Sequence, residues 1–122
     1  MRITDDHRQQ AILKALGDEI SCKILTLISQ KPESVLTIIA KTGIPSSSAY
    51  RRITELEEEG LIALKHIVYT PKGKTVKIYK SVFKEITITF KDERIVVEAV
   101  PNTDIVEKAG RFFDAFKKGD VS

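Results

Sequence analysis

The chain has 122 residues, of which 42% are hydrophobic and 30% charged, with one cysteine and a net charge of +3. That length suits a single domain with one core, and the charge fraction falls short of the bias of a disordered chain. No apolar run approaches the ~20 residues that span a bilayer, the first residues turn polar where a secretory signal turns apolar, and a lone thiol excludes an internal disulfide framework, so a cytoplasmic protein without membrane contact is expected.

Residues 8–16 carry Ala11, Ile12, Ala15 and Leu16 at helical spacing and close at Gly17. Asp18 is a suitable N-cap for a second helix on which Ile20, Ile24, Leu27 and Ile28 form one apolar stripe. Lys31-Pro32-Glu33 interrupts the pattern. Ser34 then caps a short third helix, with Val35, Ile38 and Ile39 inward, that ends at Thr42-Gly43. After Ile44-Pro45 the spacing predicts a fourth helix over 46–59, with Ala49, Ile53 and Leu56 inside and Gly60 as its stop.

From Leu61 the composition shifts to strand formers. Segments 64–69 and 75–79 flank Thr70-Pro71-Lys72-Gly73-Lys74, a turn whose glycine can take positive φ. A second hairpin follows, with strands over 86–90 and 95–100 around a turn at 91–94. A terminal helix is predicted over 104–117, carrying Ile105, Val106, Ala109, Phe112, Phe113 and Phe116 on one side. No linker or repeat divides the chain.

Three helices, a tight turn, a fourth helix and a lysine-bearing hairpin follow the plan of a winged helix-turn-helix. The sequence therefore predicts an α+β fold of that type with an added β-hairpin and a C-terminal helix. Residues 1–84 would form the DNA-binding region, and 85–122 would complete the same compact domain with a dimerisation helix.

The fourth helix is the candidate recognition helix. Stepping ~100° per residue from its apolar stripe places Ser47, Arg51, Thr54 and Glu58 opposite the core, with Tyr50 and Arg52 flanking that face. Its N-terminal half, Ser46, Ser47, Ser48, Tyr50, Arg51 and Arg52, can bond phosphates or base edges. Its C-terminal half carries Glu55, Glu57, Glu58 and Glu59, which phosphates repel. Such a helix enters a groove by its N-terminus, where the dipole also favours phosphate. A solvated face in an ordinary α+β domain would use similar residues, so the hairpin carries weight. Lys72 and Lys74 bracket its tip, where a wing touches the DNA backbone or minor groove. Between Leu61 and Lys84 lie six lysines and no acid, while the rest of the chain has fourteen basic against seventeen acidic residues. Positive charge is thus concentrated where the wing is expected.

The stretch Leu13-Lys14-Ala15-Leu16-Gly17-Asp18 with Lys23-Ile24-Leu25 resembles the opening of ArsR-type winged-helix regulators. Gly43-Ile44-Pro45-Ser46-Ser47-Ser48-Ala49-Tyr50-Arg51-Arg52-Ile53, followed by Leu56 and Gly60-Leu61-Ile62, is similar to the turn, recognition helix and exit of archaeal members. The resemblance spans roughly 11–84 and implies a DNA-contacting role for Ser46, Ser47, Ser48, Tyr50, Arg51 and Arg52. Metal-sensing members of that group carry paired cysteines on the helix before the turn, or Asp/His ligands on the C-terminal helix. Here residues 35–42 hold no Cys, His, Asp or Glu, and 103–118 hold no Cys or His. A thiophilic divalent metal needs about three or four soft or imidazole ligands, so no metal and no cofactor is expected.

Cys22 reads as a small, partly buried hydrophobe and His66 as a surface strand residue. No phosphate-binding glycine loop, nucleophile elbow or acid/base carboxylate pair is present, so an enzyme is not expected. Two readings stand: a sequence-specific regulator binding double-stranded DNA, and a winged-helix module that binds protein within a transcription or assembly complex. Aromatic residues Phe112, Phe113 and Phe116 on one helix side predict a homodimer. A compact chain of this length has a radius of gyration of ~14 Å, so two copies can set recognition helices one DNA turn, ~34 Å, apart.

Overall fold

The computed structural model describes residues 1–102, and the predicted terminal helix with Phe112, Phe113 and Phe116 lies outside the described residues. A short strand β1 (Arg2–Ile3) precedes helix α1 (Asp6–Gly17), followed by α2 (Glu19–Gln30), a second short strand β2 (Glu33–Ser34), α3 (Val35–Thr42) and α4 (Ser46–Glu58). Two hairpins follow: β3 (Ile62–Tyr69) with β4 (Thr75–Ser81), and β5 (Phe83–Lys91) with β6 (Arg94–Pro101). This is the expected α+β winged helix-turn-helix with an added hairpin. No helix among the described residues is long and apolar enough to cross a membrane.

Local chemistry explains the helix boundaries. Asp5, Asp18 and Ser34 cap α1, α2 and α3 by accepting from the amides of Arg8, Ser21 and Thr37. Each satisfies an N–H that the helix itself leaves without a partner. α1 begins two residues before the expected start because Asp5, not a residue of the apolar pattern, supplies its cap. Gly43 ends α3 in the left-handed region (φ 75°) and donates to Ile39. The chain then reverses in three residues, with buried Ile44 plugging the turn into the core. α4 ends in a Schellman-type closure: Gly60 (φ 76°) donates to Glu57, and Leu61 to Leu56.

Two antiparallel sheets frame the helices, in the orders β2-β4-β3 and β1-β6-β5. β1 and β2 are not predicted from sequence; two residues are too few for alternation to register. β2 falls in the segment read as a break, where Glu33 is buried and accepts from Lys41 at 3.0 Å. The sheets are clasped where β4 passes into β5. Val82 donates to the Leu61 carbonyl, and Asn102 reaches back to the carbonyls of Val82 (2.9 Å) and Ser81 (2.7 Å). One core runs through both layers, from Ile3, Ile12, Ile24 and Ile28 to Ile38, Ile53, Leu61, Val97 and Ala99.

Candidate nucleic-acid interface

The apolar spacing of α4 buries Ala49, Ile53 and Leu56, and this seats the helix with its other side in solvent. Ser46, Ser47, Tyr50, Arg51 and Thr54 are all exposed, and Ser48 is half-buried beside them. Pro45 occupies the N-cap position and provides no side-chain acceptor, so the first-turn amides of α4 are not side-chain capped. The three preceding helices all have such a cap. An uncapped first turn keeps its N–H groups and positive dipole end available to an anion.

Arg52 departs from the expected set. Its Nη2 donates to Asp18 Oδ1 at 3.2 Å, its Nε lies 3.1 Å from Asp18 Oδ2, and its Nη1 donates to Glu55 at 3.3 Å. The guanidinium is thus engaged within the protein, tying the recognition helix to the start of α2. The sequence reading groups Arg52 with the DNA-contacting side chains, and in the structure it is half-buried and paired within the protein. The reason is tertiary, since its partner lies 34 positions away in sequence.

Asp18 serves two elements at once. The Ser21 amide and hydroxyl hold its carboxyl below the ordinary carboxylate range; burial opposes them, and the charge and hydrogen bond of Arg52, each a smaller effect than burial, add to the lowering. A lowered folded-state pKa stabilises the fold above the unfolded value, near 3.8, and that contribution disappears as pH falls through the folded value. Asp18→Asn retains a capping oxygen but cannot ionise. Urea midpoints of the two proteins should therefore differ at pH 7, with wild type higher, and converge in acid below pH 3.8. A gap that persists unchanged in acid would show that ionisation of Asp18 contributes nothing to stability.

The wing is built by β3 and β4. At its tip Thr70 accepts from Gly73 and, through its hydroxyl, from Lys74, and Gly73 takes φ 79°. Lys72 and Lys74 are exposed there, as expected. A register shift at Lys65 resets the alternation, so Ile67, Tyr69, Thr75 and Lys77 share a face with Tyr79. Tyr79 is buried, and burial pushes its phenol up from the ordinary value, with Glu57 adding to the shift.

A groove separates that wing face from the recognition helix, lined by Leu36, Tyr50, Thr54, Thr75, Lys77 and Tyr79. Thr75, Lys77 and the 74%-exposed Tyr69 were not expected at the interface. The shift at Lys65 hides Tyr69 from strand alternation along β3, whereas Thr75 and Lys77 alternate regularly with Tyr79 along β4. Lys80 leaves the basic cluster: it is buried and donates to the Gln30 carbonyl at 3.2 Å. Lys84 belongs to the other sheet. Among the described residues no cluster of three or more His, Cys, Asp or Glu side chains is placed to hold a metal ion.

Residues 19–65 match the model of the IclR helix-turn-helix domain, a span that runs from α2 through the turn and α4 into β3. No curated protein matches the chain. Among solved structures, it is similar to the homodimeric winged helix-turn-helix DNA-binding domain (fragment 1–100) of a possible ArsR-family transcriptional regulator from Mycobacterium bovis. That likeness has 22% identity and a TM-score of 0.48, covering 61% of this chain and 63% of that one. HlyU from Vibrio cholerae is similar at 13% identity and a TM-score of 0.42, covering 88% of this chain and 90% of that one. Neither likeness is close enough to bear on function. The match to the IclR helix-turn-helix domain is confined to residues 19–65, and the described residues as a whole have the architecture of a winged helix-turn-helix with an added hairpin.

Proposed function

We propose that this chain is a transcriptional regulator that binds double-stranded DNA sequence-specifically, with no catalytic activity, in the cytoplasm. α4 enters the major groove by its N-terminal half, and the wing tip at 70–75 rests on the backbone or minor groove. The observation that carries this reading is the pairing of an uncapped helix start, bearing Ser46, Ser47, Ser48, Tyr50 and Arg51, with a lysine-tipped hairpin across a shared groove. The acidic end of α4 points the helix in one sense only, N-terminus toward phosphate. Archaeal ArsR-type kinship is the finer reading of residues 11–84. The working unit is a homodimer, as two-fold operators require, and the aromatic stripe Phe112, Phe113 and Phe116 is one candidate contact.

Selection of bound duplexes from a random pool should return a recurrent site. On that site and on random duplex, Lys72→Ala combined with Lys74→Ala should weaken binding alike. Each lost phosphate contact should also flatten the log–log salt dependence by about one unit. A module that binds only protein gives neither a recurrent site nor a salt-dependent shift, and that result would end the regulator reading.

A further inference from the structure

The second sheet ends in a strand that no described strand covers. β6 lies between β1 and β5, so one backbone edge of β5 has no described strand against it. Natural sheets usually blunt such an edge with proline, a bulge or an inward-pointing charge, because it templates pairing with another chain. In β5 the register shift falls at Lys84, and the turn begins at Asp92. Residues 85–91, Glu-Ile-Thr-Ile-Thr-Phe-Lys, are left as a regular run with neither proline nor glycine.

Register with β6 fixes the two faces of that run. Ile86, Ile88 and Phe90 share one face with Ala99, Val97 and Ile95, and Glu85, Thr87, Thr89 and Lys91 share the other. Toward the core this apolar face is covered, with Val97 and Ala99 buried. Toward the tip it is open: Phe90 is 78% exposed, and Ile88 and Ile95 are 39% exposed.

We propose that β5 is the seam of a homodimer, pairing antiparallel with β5 of a second copy in a register centred on Ile88. The inference rests on the dimer reading given above. Ile88 is the midpoint of the regular run, so this register uses all of it. A two-fold axis there sets Ile88 against its own counterpart, Ile86 against the partner's Phe90, and Thr87 against the partner's Thr89. It also sets Glu85 against the partner's Lys91, twice per dimer. Every pair is matched in kind, and such cross-strand pairs are what stabilise a sheet. A slip of one residue would place apolar side chains opposite polar ones. A slip of two would set Glu85 against the partner's Glu93, or Lys91 against the partner's Phe83. The edge is thus self-complementary in one register. The resulting sheet is continuous across both copies, and the partner's Ile86 covers Phe90.

Sedimentation equilibrium of the full chain and of charge-reversal variants tests the seam. Glu85→Lys alone and Lys91→Glu alone each create two like-charge pairs, and each should weaken the dimer about five- to tenfold. The double variant restores opposite charges and should return to within about twofold of wild type. In a Cys22→Ser background, Ile88→Cys places two thiols at the axis and should form an intermolecular disulfide under mild oxidation. If wild type dimerises but neither single reversal weakens it, β5 is not the seam, and the dimer reading survives with another contact, such as the segment beyond residue 102. A wild type that stays monomeric at every concentration would overturn both.

Discussion

Arg51→Ala should cost about 1–3 kcal/mol of affinity on the preferred duplex and much less on random duplex. Arg51 is exposed on α4, one turn after the uncapped start and two residues before buried Ile53. Hydrogen bonds and ion pairs bind Arg52 to Asp18 and Glu55, so the effect is expected of the exposed Arg51. A planar fork suits the O6 and N7 acceptors of guanine, whereas the lysines at the wing tip act as point charges on phosphates. Discrimination between duplexes should therefore fall with Arg51→Ala while the salt dependence changes little. The wing double variant should show the reverse. Binding isotherms on both duplexes at several salt concentrations separate the two effects. Equal losses on both duplexes for Arg51→Ala would move Arg51 from base reading to the backbone.

Arg52 shows where sequence reasoning stops. Periodicity places Arg51 opposite the core and Arg52 on the flank of that face, but it does not show that Arg52 has a partner inside the protein. Only the packing of α2 against α4, which brings Asp18 to Arg52, reveals that Arg52 is engaged within the fold. The same distinction applies elsewhere. Asp18, Ser34 and Gly43 were legible because caps and left-handed turns are local chemistry, written within a few residues of where they act. β1 and β2 were not, because each is two residues long and exists only through a distant partner, Val97–Glu98 for β1 and Ile78–Tyr79 for β2. Lys80 counted as surface charge in the sequence, yet its contact with Gln30 lies 50 positions away. The wing face bearing Tyr69, Thr75 and Lys77 was hidden for a different reason. A one-residue shift at Lys65 inverts the alternation along β3 that bears Tyr69, and only the pairing of β3 with β4 brings Thr75 and Lys77 to the same face.

Ile53→Ala should have the largest effect on the fold itself, a loss of about 2–5 kcal/mol of unfolding free energy. Ile53 is 3% exposed and faces the core beneath the recognition helix, in the cluster that also holds Ile38, Leu56 and Tyr79. Truncation removes transfer free energy and leaves a cavity that α3, α4 and β4 cannot all close, since each is fixed by other contacts. Domains of this size have a total stability of about 5–15 kcal/mol, so the change consumes a large share of it. Arg51→Ala, two residues away but exposed, should stay within about 0.5 kcal/mol of wild type in the same urea titration. The contrast separates seating the helix from what the helix reads. At low temperature, where Ile53→Ala is still folded, its discrimination between preferred and random duplex should be retained even as its urea midpoint falls. A midpoint unchanged by Ile53→Ala would mean that α4 is not held by its apolar stripe, and the orientation that presents Arg51 to a groove would lose its physical basis.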